Sequence, residues 1–241
     1  MIFIKDDYAM KEAFYFVHLI YSISLFNFYI KGEDSMYKDL EAKNFDTNNI
    51  KGLSQRQLEE HLKLYKGYVT KVNEISKLSK DAKDFPGSNP TFSKMRSEKV
   101  AETFALDGVI LHELYFENIS SNTRAKCVAY GDMIKLIDEQ YSNFENFIAY
   151  FKQVALSVRG WAILAIDNLT HQLRVIGADA HDHGAVWCAA PLAVIDVYEH
   201  AYFIDFGTDR AKYLDTVLDD INWEVVEKRL QQYKQIQKIS Y

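Results

Sequence analysis

The sequence predicts an α+β fold: an N-terminal antiparallel helical hairpin followed by an α/β part with a small three-stranded antiparallel sheet. Three observations predict it. Only 3 prolines and 10 glycines occur in 241 residues, so few positions break a helix. Two long stretches of helical period are joined by a short polar turn. Between residues 161 and 197 the period changes to that of strands. Apolar residues at 48% against charged residues at 26% are those of a globular chain and exclude intrinsic disorder.

The first helix is expected over Leu53–Leu78, with apolar residues at 58, 62, 65, 68, 69, 72, 75 and 78. Ser54 and Gln57 form a capping-box start. Pro86, Gly87 and Pro90 then make the turn. A second helix runs from Ser93 to about Asn118, so the two pack as a hairpin. Residues 119–131 connect to amphipathic helices at 132–140 and 143–159. Trp161–Asp167, a turn and Leu173–Gly177 read as a β-hairpin. Ala190–Val197 is a third strand, and helices close the chain.

Composition excludes several functions. A formal net charge of −6 argues against non-specific nucleic-acid binding. Cys127 and Cys188 are too few for a disulfide framework or a cysteine zinc site. They fit a reducing, cytoplasmic setting, both read as small buried hydrophobes.

The sharpest chemical feature is Asp196 with His200 four residues on, at a strand-to-helix junction. A hard carboxylate oxygen and a neutral imidazole nitrogen converging there suit Fe or Mn. Taken alone, the same pair also fits a surface ion pair. His112 on the second helix and His61 on the first each sit among apolar neighbours, where a lone His is more often a core residue. A hairpin can nevertheless bring both to one point.

Together, DVYEHAYF at 196–203, HELYFEN at 112–118, GYVTKVNE at 67–74, FKQVALSVRGWAILAID at 151–167 and NWEVVEKRL at 222–230 resemble the iron/manganese superoxide dismutase family. The resemblance spans roughly residues 53–230 and implies the same hairpin-plus-sheet fold. It implies one Fe or Mn held by three His and one Asp. Asp196, His200 and His112 match three ligands directly. Counted back from Tyr68, the fourth falls on Glu60, with His61 one residue late. Either Glu60 replaces the ligand or the helix has lost a residue. At about 100° per residue, His61, Tyr65 and Tyr68 share one stripe, whereas Glu60 lies about 80° from Tyr68. That favours His61.

The resemblance also assigns an outer shell. Tyr68 matches the gateway Tyr, and Trp161 the Trp that walls the pocket. His181 matches the group that holds a metal-bound solvent, with His183 a nearby competitor. His18 and His171 have no motif support. Glu199 matches a Glu that crosses a homodimer interface. A second cross-dimer link is expected to be lost, because Tyr65 and Phe203 stand at its two ends. Val194 leans the metal choice weakly toward Fe. Lys63, Lys66 and Arg210 are candidates for drawing in an anion.

The implied activity is dismutation of superoxide to dioxygen and hydrogen peroxide. Two other readings stay open. One is a 2-His-1-carboxylate iron oxygenase on His112, His200 and Asp196. The other is a non-catalytic dimeric paralogue. The expected organisation is an apolar leader over 1–35, a hairpin domain over 36–120 and an α/β metal-binding domain over 121–241. Residues 13–30 carry no charge. They read first as translated sequence upstream of a start at Met36, next as a membrane anchor, and third as an extra docked helix.

Overall fold

The computed structural model describes residues 38–48, 50–119 and 128–239. The expected hairpin is its first half: α1 spans Gln55–Ser76 and α2 Lys94–Ile119, with a single 3₁₀ turn at Ala82–Asp84 between them. On α1, Leu58, His61, Tyr65, Val69, Val72 and Ile75 are buried, a stripe at helical spacing. Side-chain pairs give the direction: His61 meets Phe116, Tyr65 meets His112, and Tyr68 meets Phe104. Partner numbers fall as α1 advances, so the helices run antiparallel.

The start of α1 departs from the expected capping box. Ser54 Oγ does accept the Gln57 N–H at 3.1 Å. The Gln57 side chain, however, does not turn back to Ser54. Asp205 accepts the Ser54 N–H instead, at 2.6 Å, and Gln57 is buried and used elsewhere.

After the hairpin, α3 (Gly131–Tyr141) and α4 (Phe144–Ser157) lead into the sheet. Asn143 caps α4 through the Asn146 N–H. The strands are β1 (Trp161–Asp167), β2 (Leu173–Ala178) and β3 (Ala189–Asp196), antiparallel in the order β2-β1-β3. All seven residues of β1 are buried, as its central place demands. Its register decides where the chemistry sits: Trp161 pairs with Ala178 on one side and with Asp196 on the other. The start of β1, the end of β2 and the end of β3 therefore meet at one edge of the sheet, facing the hairpin. A 3₁₀ turn (Glu199–Ala201) and three helices, α5 (Phe203–Phe206), α6 (Arg210–Asp219) and α7 (Trp223–Ile239), complete the described chain. Among the described residues no helix is long and apolar enough to cross a membrane; the apolar run 13–30 lies outside them.

Two cysteines were expected to be buried. Cys188 is instead exposed, in the loop before β3 where its φ is +66°; Cys127 lies outside the described residues. The loop it sits in is exposed from His183 to Cys188, which carries the thiol at the surface rather than into the core.

One remote cap joins the two ends of this half. No side chain of its own caps the start of α3. Glu227 on α7 does so, accepting from the Asp132 and Met133 N–H groups at 3.2 and 2.9 Å. Gly131 makes the approach possible: its φ is +66°, and a Cβ there would stand 2.7 Å from Glu227 Oε1. Glu227→Ala leaves the half-buried Asp132 and buried Met133 amides without acceptors and is expected to cost about 1–3 kcal/mol, read as a lowered midpoint in chemical denaturation with an unchanged slope.

Candidate metal centre

Four side chains from four elements converge between the hairpin and the sheet edge. His61 comes from α1, His112 from α2, Asp196 from the last position of β3 and His200 from the 3₁₀ turn. One donor atom from each lies within 4.8 Å of all the others. His61 Nε2 and His200 Nε2 stand 3.0 and 3.1 Å from Asp196 Oδ2, and His112 Nε2 stands 3.6 Å away. His61, His112 and Asp196 are buried; the His200 side chain is 30% exposed.

The protein's own bonds hold each group in place. His112 Nδ1–H donates to the Gly108 carbonyl one turn back, at 2.6 Å. That bond fixes the tautomer and leaves Nε2 as a bare lone pair. Asp196 Oδ1 accepts from the Tyr198 N–H at 2.9 Å. The Asp196 carbonyl accepts from the Tyr213 hydroxyl at 2.7 Å. Gln57 bridges α1 to the His200 turn: its amide donates to the His200 carbonyl at 2.6 Å and accepts from the Ile204 N–H at 3.1 Å.

Electrostatics set the protonation states. Burial lowers the His61 imidazole, and burial reinforced by His61 lowers His112 to about 3. Both are neutral at pH 7. Burial alone would raise the Asp196 carboxyl, but His200 and His61 outweigh it and hold the group well below the usual carboxylate range. The result is one buried anion with the bare His112 lone pair turned toward it. His112 Nε2 is buried with no hydrogen-bond partner among the described residues. It faces a carboxylate oxygen, acceptor against acceptor, an arrangement that a cation between them turns from repulsive to attractive. Three imidazole nitrogens and one carboxylate oxygen fit iron or manganese.

A second ring of residues lines the cluster. Trp161 Nε1–H donates to His181 Nδ1 at 2.9 Å, so the neutral His181 ring carries its proton on Nε2. That nitrogen is buried without a partner among the described residues. Burial lowers His181 to about 4. Its ring packs edge-on to Tyr68 at 4.7 Å and lies 5.7 Å from His112. Tyr68 lies 5.3 Å from His112, and burial and then Asp196 raise its phenol. Gly108 lets this ring close up: a Cβ there would stand 3.1 Å from the Tyr68 ring and 3.3 Å from His181.

A family model described as "Iron/manganese superoxide dismutases, C-terminal domain" matches residues 129–229. A protein named superoxide dismutase [Fe] from Aquifex aeolicus is 38% identical over 186 residues, covering 76% of this chain and 86% of its own. The chain belongs to the iron/manganese superoxide dismutase family. Superoxide dismutase [Mn/Fe] from Aeropyrum pernix is 35% identical over 132 residues, 54% of this chain and 62% of its own. Superoxide dismutase [Mn] from Haloarcula marismortui is 28% identical over 163 residues, 66% and 76% of the two chains.

The candidate residues from the sequence fall in different places. His61 is inside the cluster, whereas Glu60 is at the surface, its carboxylate 2.6 Å from Lys63. The surface pairing occupies Lys63, and Lys66 is exposed. Arg210 is spent inside the fold: its guanidinium donates to the Ala155 and Val158 carbonyls at the end of α4. His183 is exposed, and His171 is bonded to the Tyr233 hydroxyl, so neither joins the cluster; His18 lies outside the described residues. Sequence reasoning missed Gly108, Tyr213 and the true use of Gln57. Only Gln57 carried a signal, as a polar residue on an apolar helical stripe.

The decisive comparison is between neighbours. His61→Ala is expected to abolish iron or manganese retention through desalting, while Glu60→Ala retains metal at the wild-type stoichiometry by elemental analysis. The opposite pattern would assign the ligand to Glu60.

Proposed function

We propose that the protein is a superoxide dismutase, turning two superoxide anions and two protons into dioxygen and hydrogen peroxide at one iron or manganese ion. His61, His112, Asp196 and His200 are the proposed ligands, with Tyr68 and His181 as the catalytic outer residues. The observation that carries this is the buried three-His, one-Asp donor set with its His112 lone pair directed at a carboxylate.

When bound, the ion supplies a one-electron couple and positive charge. The protein's residues supply the rest. Neutral imidazoles and a single carboxylate leave the loaded site cationic, which attracts a small anion into a buried place. His181 is neutral at pH 7, and its Nε2–H is available to donate to an oxygen of a bound guest. Trp161 fixes that tautomer by donating to Nδ1. Tyr68, raised by burial, keeps its hydroxyl proton near pH 7 and serves as a second donor. The rings of Phe104, Tyr68, Trp161 and Tyr198 all pack against His181, which makes an aromatic wall beside the donor set.

We also assign a homodimer to the face around His200. Glu199, Phe203 and Ile204 are exposed there, with Phe203 49% and Ile204 43% accessible beside a part-open ligand. Two cysteines in 241 residues favour a reducing, cytoplasmic setting.

Metal removal tests the reading. Protein stripped by chelation is expected to lose superoxide dismutation, and reloading with iron or manganese to restore it for at least one of the two. Protein fully loaded with either ion yet inactive on superoxide would contradict the assignment.

A further inference from the structure

Residues 38–48 contain no helix or strand, yet they are bound tightly across the hairpin. The Leu40 backbone exchanges two hydrogen bonds with the Asn73 side chain, at 2.8 and 2.9 Å. Phe45 stacks on Phe116 at 5.2 Å and meets Tyr65 edge-on at 5.8 Å. Lys43 is the centre of this strap. Its ammonium lies 2.7 Å from Glu113 and 3.1 Å from Glu117. The Lys43 backbone N–H donates to the Tyr65 hydroxyl at 2.9 Å, which in turn donates to Glu113 at 2.9 Å.

The contacts of Lys43 and Phe45 bear on the ligands. Tyr65 is fully buried and stacked 6.4 Å from His112, and Phe116 lies 5.0 Å from His61. Glu117 continues to Arg229 on α7 at 2.8 Å. Arg229 donates to the Asn118 side chain and to the Leu192 carbonyl. Asn118 Oδ1 accepts from the Val194 N–H, two residues before Asp196. The network thus runs from the strap, behind both helices, to the strand that carries the carboxylate. Glu113 and Glu117 stand one turn apart on α2, where like charges repel unless a cation lies between them.

We propose that Lys43 is a positioning residue of the metal centre, locking Tyr65 and the Glu113–Glu117–Arg229 network so that His61 and His112 keep their spacing from Asp196. This rests on the metal-site reading above. Lys43→Met keeps the packing stem and removes the charge; Lys43→Arg keeps the charge. The test uses iron-loaded full chain and reads the rate of iron extraction by excess chelator, the visible and EPR spectra of the iron, and the thermal midpoint. Lys43→Met is expected to release iron about 10–100-fold faster with a changed spectrum, the range typical of groups that orient ligands. Lys43→Arg restores both. Tyr65→Phe, a milder change, shifts both readouts in the same direction. A Lys43→Met protein with wild-type release and spectrum would overturn the proposal even if its midpoint falls. Should Lys43→Met fail to fold, unchanged release from Tyr65→Phe overturns it instead. These readouts do not depend on turnover. Loaded wild type that fails to dismutate superoxide would refute the dismutase reading alone, and wild type that binds no metal would refute both.

Discussion

A carboxylate with no exposure, at the last position of a strand, faced by three imidazoles, is the constraint on which the rest depends. Taking such a charge out of water is costly unless opposite charge or hydrogen bonds compensate. Asp196 receives one backbone N–H on Oδ1 and faces nitrogens on Oδ2. Those at His61 and His112 belong to rings that burial keeps neutral. A cation among these donors satisfies the carboxylate and the His112 lone pair at once. The hairpin, the antiparallel register of β1 with β3 and the 3₁₀ turn at His200 bring the donors to one point.

The surrounding structure distributes that requirement. Tyr213, Gln57 and Gly108 each fix one donor through a single backbone group. Trp161 links the site to the sheet: it pairs with Asp196 in the register and donates to His181, just after β2. Where a cross-dimer link is expected to be lost, Tyr65 bonds within its own chain. Its hydroxyl is committed to Lys43 and Glu113, and Phe203 has no hydroxyl to offer.

Much of this was legible from residue patterns. Helical spacing of apolar residues gives α1 to within two residues at each end, and the period change gives β1. The stripe shared by His61, Tyr65 and Tyr68 separates His61 from Glu60, because a helix face is fixed by its 3.6-residue turn. Family motifs supplied the pairing of Asp196 with distant His residues, which periodicity alone cannot give. What escaped was long-range and polar. Ser54 and Gln57 match a capping box, yet tertiary partners 143 and 151 residues away claim both ends of it. Arg210 looked available to an anion but closes the end of α4, since a guanidinium's five donors reach any free carbonyl nearby. Lys43 carried no motif, because its partners converge only when the strap crosses the hairpin.

X-ray absorption at the iron edge of loaded protein reads the donor set directly. Three His and one Asp give a shell of nitrogen and oxygen donors, with the outer scattering of three imidazoles. A sulfur in that shell, or scattering from two imidazoles or fewer, would contradict it.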